Sequence, residues 1–550
     1  MKNLLSFLLV FFIVSPLFSQ ITVEGTVTDA NGKVPVLAHA HLGPYNGDEK
    51  KSTSFACSKD GHFSVHIPKA GMYSLRISAV DHQEITIPLI LDEKDKTVEM
   101  SVQLHANPFN ADPEKITVIG DWNKFSFAST GQMRPQKTAD GKTIYTYERT
   151  ATGDTLSYQL MGTADGGHSV NGQTADYFTY DGGGDYRSVI RTHKGEVVKI
   201  IYDPAKIQFS ENANLPNVGI KNNPFLKKVY ALTSAVAKME QEARVIPQGG
   251  GPVTMSAEKY KAEIANIKHV FEDAVKSGDT KFAQFAAVTL AEQYNPTIDF
   301  DKENAEMIIK AVPATSPMWS ISPYMIRAMA GLVDKKTGDA YIKDSKNNPE
   351  KSVRAIAYAD EMGEAAKAND TKEWKRLYAM LKKDYNDVAE IKWAMIEHNP
   401  DAVVQVGRPV PDFEVALLDG SGKVSNTSML GKYYMIDFWA TWCGPCVGEM
   451  PSMHKAYEKF KGKKGFEIIS LSMDAAESQI APFRAKKWKM PWLNAFIPGV
   501  FEAELAKKFE VAGIPKPVLV GPDGKILAME GDLRGETLET TLAKYLGESN

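Results

Sequence analysis

Cys443 and Cys446 are the residues in this chain best placed to do chemistry, two cysteines with Gly444 and Pro445 between them at the end of an apolar run from Tyr434 to Trp442. Tyr434 to Ala440 is β-branched and aromatic enough to predict a buried strand, and Val447 to Phe460 has helical spacing, with Met450, Met453, Ala456, Tyr457 and Phe460 on one face. The pair therefore stands where a strand hands over to a helix. At a helix N-terminus, unpaired amide N–H groups and the positive end of the dipole stabilise a thiolate, which lowers the thiol pKa and makes Cys443 the expected nucleophile. Cys446, one turn further in, is expected to be more buried and less reactive. Half of a zinc site is the competing chemistry, but no second Cys pair or His pair stands at ligand spacing, so no metal is expected.

Two acids lie close to the pair in sequence. Asp437 interrupts the apolar strand, where an ionised carboxylate is costly unless paired, so its pKa should be raised; a backbone hydrogen bond at the strand end is the alternative. Glu449 follows Cys446 by three residues on the same helix, and a solvated helix face explains it nearly as well.

The stretch Asp437-Phe-Trp-Ala-Thr-Trp442-Cys443-Gly-Pro-Cys446 resembles the active-site sequence of thioredoxin. Pro451 stands where the thioredoxin helix has its proline, and Gly513-Ile514-Pro515 resembles the cis-proline turn of that family. Val406 to Phe413, Cys446-Val-Gly-Glu449-Met-Pro451 and Val520-Gly-Pro-Asp-Gly-Lys-Ile526 resemble the TlpA-like extracytoplasmic branch within the wider AhpC/TSA group. The resemblance covers the last quarter of the chain and implies an α/β thioredoxin fold acting by thiol–disulfide exchange, with no cofactor beyond the Cys443–Cys446 disulfide itself. It implies that Asp437 accepts the proton of Cys446 when the mixed disulfide is resolved, and that Glu449 matches the acidic residue of the TlpA-like reductases. Trp442, Gly444, Pro445, Ile514 and Pro515 would then meet the substrate, with Pro515 cis, facing Cys443, and leaving backbone groups free for an extended peptide. Lys516 departs from the family, which carries a small polar residue there. Its ammonium either favours the Cys443 thiolate and acidic substrates or points to solvent. The partners implied are protein dithiols or disulfides and an electron-donating redox protein. Gly444-Pro445 resembles the reducing thioredoxins, and no peroxidatic Thr-x-x-Cys stands upstream.

The elements that must hold this site alternate over 403–550. They are a hairpin through Leu418 to Lys423, the strand and helix flanking the cysteines, a strand from Phe466 to Ser472, a helix from Glu477 to Lys487, strands at Pro517 to Val520 and Ile526 to Met529, and a helix from Glu536 to Leu546. Upstream, 211–402 is rich in Ala, Lys, Glu and Met with a period near 3.6 and predicts a helical domain. Asn223, Ser256 and Asp279 are its expected N-caps, and Ser277-Gly278 is a stop. Its loop Val245-Ile-Pro-Gln-Gly-Gly-Gly-Pro252 lacks the Lys-Ser/Thr of a phosphate cradle, and His269 and His398 have no partners at catalytic spacing.

Short alternating strands divided by Gly32, Gly61 and Gly71 make 20–106 a β-sandwich that resembles carboxypeptidase-regulatory-like domains. Residues 107–210 form a second β-rich block, in which Val118-Ile-Gly-Asp-Trp122-Asn resembles early-set, carbohydrate-binding-like sandwiches. Trp122 there either stacks on a sugar or packs between sheets. The fold class expected is thus multidomain: two N-terminal β-sandwiches, a helical middle domain and a C-terminal α/β thioredoxin fold.

Residues 1–19 read as a signal peptide, with Lys2, an apolar run from Leu4 to Val14, Pro16 and Ser19. An uncleaved anchor is the alternative, though the run is short for a bilayer span. No later stretch could span a membrane, so the mature chain is expected to be extracytoplasmic, and periplasmic in a Gram-negative source. A net charge of −4 with interspersed signs over 550 residues gives no reason to expect a nucleic-acid partner. With three cysteines in all, disulfides are not structural staples, and the third, Cys57, is expected to be a buried, inert thiol. From a different class, the rival function is an envelope protein whose sandwiches bind glycan or surface partners, with the redox domain accessory.

Overall fold

The computed structural model describes residues 21–45, 52–107, 116–125, 131–162, 173–182, 185–206, 215–245, 254–294 and 302–547. The expected signal peptide and most of the Gly-rich loop after Val245 lie outside the described residues.

Strands β1 (Ile21–Asp29), β2 (His39–Pro44), β3 (Thr53–Ala56), β4 (His62–Ile67), β5 (Gly71–Ser78), β6 (Ile85–Leu91) and β7 (Thr97–Leu104) build the first sandwich. Its period-two alternation is plain in β1, where Ile21, Val23 and Val27 are buried in a core shared with Phe63, Leu75, Leu89 and Val102. One sheet runs β3-β2-β5-β6. The other runs β16-β7-β1-β4, and β16 (Asn217–Ile220) comes from beyond the second block. The expected boundary at 211 therefore cuts a strand away from its sheet. Chain proximity hid this: residues 107–210 leave the first sandwich after β7 and return to pair antiparallel with that same strand, Val218 opposite Val102.

The second block contains β8 (Thr117–Gly120), β9 (Gly131–Gln132), β10 (Arg134–Lys137), β11 (Thr143–Thr150), β12 (Thr155–Met161), β13 (Tyr177–Tyr180), β14 (Tyr186–Arg191) and β15 (Val197–Tyr202). They form a three-stranded sheet, β10-β11-β15, and a five-stranded one, β13-β14-β12-β8-β9. Trp122 lies over Gly120, stacks on Tyr147 at 5.9 Å and has the Arg149 guanidinium 5.7 Å from its ring, so it packs against its own sheets. The blocks meet where His39 stacks on Tyr180 at 4.1 Å and Ser78 hydrogen-bonds Tyr186. Cys57 is half-buried, and burial pushes its thiol up to about 11, which keeps it protonated at neutral pH.

After β16 come helices α1 (Pro224–Ala243), α2 (Ala257–Lys276), α3 (Thr280–Glu292), α4 (Lys302–Ala311), α5 (Met325–Leu332), α6 (Lys335–Ser345), α7 (Lys351–Lys367), α8 (Thr371–Asp384) and α9 (Lys392–Glu397), with a two-residue pairing of β17 (Arg244–Val245) and β18 (Thr254–Met255). Asn223 caps α1 through Leu226 N–H at 2.9 Å, and Asp279 caps α3 through Phe282 N–H at 3.2 Å. Ser256 occupies the cap position of α2, but its side chain makes no capping bond. The helical core contacts the first sandwich through Ile90 and the Lys281–Asp92 ion pair at 2.7 Å. Among the described residues no helix is long and apolar enough to cross a membrane.

The last region holds a hairpin, β19 (Glu414–Ala416) and β20 (Lys423–Ser425), then β21 (Tyr434–Trp439), α10 (Gly444–Phe460), β22 (Glu467–Ser472), α11 (Ile480–Lys486), β23 (Leu493–Phe496), α12 (Glu504–Lys508), β24 (Lys516–Val520), β25 (Ile526–Met529) and α13 (Gly535–Leu546). The sheet order is β23-β22-β21-β24-β25, parallel across the first three strands and antiparallel beyond. β21 is its centre and is buried throughout. Met435 and Trp439 face α10 and α13, while Tyr434, Ile436 and Phe438 face the opposite core with Phe413 and Phe509. Strand β23 and helix α12 are too short for periodicity to reveal.

Because Ile220 is buried in the first-sandwich core, Ile220→Ala is expected to destabilise that sandwich by about 2–4 kcal/mol. Denaturation followed by amide exchange in β7 checks this, and a loss below about 0.5 kcal/mol, the range of a surface change, would detach β16 from that core.

Candidate functional site

The site is built on the end of β21. The chain leaves the sheet at Ala440, and the loop that follows is anchored by Asp474, a fully buried acid. Its carboxylate accepts from Thr441 N–H at 3.0 Å and Thr441 Oγ1 at 2.6 Å, and from Ser472 Oγ at 2.8 Å. Hydrogen bonds converging on one buried side chain fix the start of the loop. Asp474 was missed from sequence; an acid immediately after an apolar strand was the available signal.

Cys443 is the N-cap of α10 and Pro445 lies in its first turn. The Cys443 sulfur accepts from Cys446 N–H at 3.1 Å, and the two sulfurs are bonded to each other. Both residues are covered in this disulfide form, at 4% and 2% exposure, so the expected contrast in burial is small. Trp442, Gly444 and Pro445 are exposed around them. Across from the pair, the Ile514–Pro515 bond is cis and the Ile514 carbonyl oxygen lies 3.7 Å from Cys443 Sγ.

Asp437 is 3% exposed and sits opposite Ser470 on one side and Pro517 on the other. Ser470 Oγ donates to its carboxylate at 3.5 Å and itself receives Trp492 Nε1–H at 2.8 Å. Burial pushes the Asp437 carboxyl up to about 7; the Glu449 charge adds to the rise, while Ser470 and Arg534 oppose it. A cavity of about 10 Å³ is lined by Asp437, Cys446, Glu449, Pro515, Pro517 and Arg534 among others, so the carboxyl and the inner cysteine share one small space.

Glu449 is not on a solvated face. Its carboxylate accepts from Arg534 Nε at 3.2 Å and from Gly535 N–H, the first residue of α13, at 2.6 Å. It thus fastens the helix of the cysteines to the C-terminal helix and closes the cavity beside Asp437. Arg534 had no signal in the sequence, since its role depends on the fold bringing α13 beside α10.

Lys516 requires a correction. Sequence reasoning put its ammonium beside Cys443 or in solvent, and it does neither. Lys516 lies opposite Phe438, so the pleat sends it to the face away from α10. There it is 8% exposed, 3.4 Å from the Glu530 carboxylate and donating to the Glu510 carbonyl at 3.2 Å. A cation neutralised on the far side of a sheet does not meet substrate.

Folding raises the Asp437 pKa, so the stability that accompanies its neutral form is complete below about 4 and lost as pH rises through about 7. Asp437→Asn cannot ionise. In the disulfide form it is expected to exceed the wild type by on the order of 2–4 kcal/mol at pH 8 and to match it within about 1 kcal/mol at pH 4. Urea unfolding at pH 4, 6 and 8 checks this, and a difference that does not grow with pH removes the buried-carboxyl account.

The family described as thioredoxin-like matches residues 431–526. The thiol-disulfide oxidoreductase ResA of Bacillus thuringiensis subsp. konkukian is 33% identical over 143 residues, which is 26% of this chain and 78% of that protein. Tryparedoxin of Trypanosoma brucei brucei is 37% identical over 120 residues, 22% of this chain and 81% of that protein. Among solved structures, the thioredoxin domain of a thiol-disulfide oxidoreductase from Bacteroides vulgatus is 31% identical and covers 26% of this chain and 99% of its own, with a TM-score of 0.24. Through its last quarter, this chain belongs to the thioredoxin-like thiol-disulfide oxidoreductases.

Proposed function

We propose that the chain is exported and reduces disulfides of proteins outside the cytoplasm through Cys443 and Cys446. The observation that carries this reading is the bonded cysteine pair at the start of α10, facing the cis Ile514–Pro515 turn on one side and Asp437 on the other. The apolar run near the N-terminus is the ground for export.

In the reduced enzyme, the free N–H groups at the start of α10 favour the Cys443 thiolate. The thiolate attacks one sulfur of the substrate disulfide. That S–S bond breaks, a mixed disulfide forms on Cys443, and the other substrate sulfur leaves as a thiolate that takes a proton from solvent. Cys446 then loses its proton to the Asp437 carboxylate and attacks the Cys443 sulfur. The second substrate thiolate leaves, and the Cys443–Cys446 disulfide of the present structure is restored. Two electrons pass to the substrate, and a partner dithiol returns them. A carboxyl with its pKa near 7 suits a group that must accept a proton in one half of the cycle and release it in the other. Glu449 and Arg534 position this acceptor by closing the space around it.

Three variants test the reading with insulin as substrate and dithiothreitol as reductant. Cys443→Ser is expected to give no turnover above dithiothreitol alone, and Cys446→Ala to accumulate mixed disulfides with polypeptide substrates. Asp437→Asn is expected to leave the first attack within about twofold while slowing resolution by about 100-fold at pH 7, the scale of lost general-base assistance. Wild-type turnover no faster than that of Cys443→Ser would end the enzymatic reading, and an unchanged resolution rate in stopped flow would remove Asp437 from it.

A further inference from the structure

A side chain of the helical domain lies at the edge of the redox site. Helix α9 is the last before the thioredoxin-like region, and its Trp393 ring lies against Gly513. A Cβ at Gly513 would overlap that ring and stand 3.1 Å from Cζ2 and 3.3 Å from Cζ3. Gly513 immediately precedes Ile514, whose carbonyl faces Cys443, so the indole sits one peptide unit from the turn that covers the dithiol.

This placement is built from both sides. Trp374 Nε1 of α8 donates to the His398 carbonyl just after α9 at 2.7 Å, and the His398 ring lies against Gly363 of α7. Beyond α9, the Glu510 carboxylate accepts from Val403 N–H at 3.2 Å and Val404 N–H at 3.1 Å, tying the connecting chain to the segment that leads into Gly513. Yet the ring is not a core element. Trp319 and Trp439 are 0% and 1% exposed, whereas Trp393 is 61% exposed and Trp442, beside Cys443, is 53% exposed. An aromatic held firmly at one edge and left open over most of its surface is the arrangement of a contact residue. The Lys516 ammonium is withdrawn to Glu530, and the exposed side chains on the two segments that meet at the disulfide include Trp442 and Pro445 beside Cys443 and, against Gly513, Trp393.

We propose that Trp393 is a specificity residue of the redox site, supplied by the helical domain, which binds an apolar or aromatic side chain flanking the disulfide of an extended polypeptide. The inference rests on the disulfide-reductase reading and names the class of substrate that the site selects. It gives the helical domain a part in substrate choice, because neither domain alone presents both Trp442 and Trp393.

The full chain, with dithiothreitol as reductant, is assayed on three probes: a disulfide-bridged peptide with Phe beside its cysteines, the same peptide with Ser in those places, and 5,5′-dithiobis(2-nitrobenzoate). Trp393→Ala is expected to raise KM for the Phe peptide about tenfold, the order set by losing one aromatic contact, with kcat unchanged and the other two probes unaffected. Trp393→Phe is expected to retain most of the preference. Unchanged kinetics on the Phe peptide, an equal loss on all three probes, or faster turnover of all three would overturn the proposal. The equal loss would make the ring a support for the cis-proline turn, and the faster turnover would make it a cover. Failure of the wild type on every probe would instead overturn the reductase reading, and the substrate preference with it.

Discussion

A carboxyl group buried in the central strand is the constraint on which the redox site depends. β21 is buried along its whole length, and Asp437 stands within it facing the helix of the cysteines. In a low-dielectric setting the ionised form is penalised, and the Ser470 hydroxyl offsets only part of that cost. The strand tolerates the acid because it can be neutral, and the proton-accepting role proposed for it needs a thiol close by. The small cavity shared with Cys446 gives it that position. Replacing the acid by an apolar residue would relieve the burial cost and remove the group proposed to take the Cys446 proton.

The surroundings of Asp437 keep that space small and fixed. Glu449 fastens α10 to the start of α13, and Asp474 fastens the loop ahead of Cys443. Each accepts from a backbone N–H, Asp474 also from two hydroxyls and Glu449 also from Arg534, whereas Asp437 accepts from the Ser470 hydroxyl at 3.5 Å. Three carboxyl groups near one disulfide thus differ in their hydrogen-bond partners, and the partners are set by tertiary contacts.

The same logic extends to the upstream domains. The second sandwich is carried on the first, which it leaves after β7 and rejoins at β16, and the helices follow directly from that returning strand. Ile90 and the Lys281–Asp92 pair seat the helical core on the first sandwich, and α9 then brings Trp393 to Gly513. The long N-terminal part is therefore connected to the redox region by packed contacts as well as by chain.

By itself, the sequence determined the elements and the chemistry that are local. The strand ending in Cys443-Gly-Pro-Cys446, the helix after it and the caps at Asn223 and Asp279 follow from period, propensity and residues a few positions apart. The expectation of a raised Asp437 pKa also comes from its place inside an apolar run, while its burial against Ser470 and Glu449 is what tertiary packing added. What only the tertiary structure decided are relations between residues far apart in the chain: β16 completing a sheet begun near residue 21, Glu449 meeting Arg534, Asp474 holding Thr441, and Trp393 resting on Gly513. Lys516 shows the reason most directly. Its neighbours in sequence are those of the site, but strand pairing fixes which face each residue takes, and one position along a pleat is enough to send a charge to the far side of the sheet.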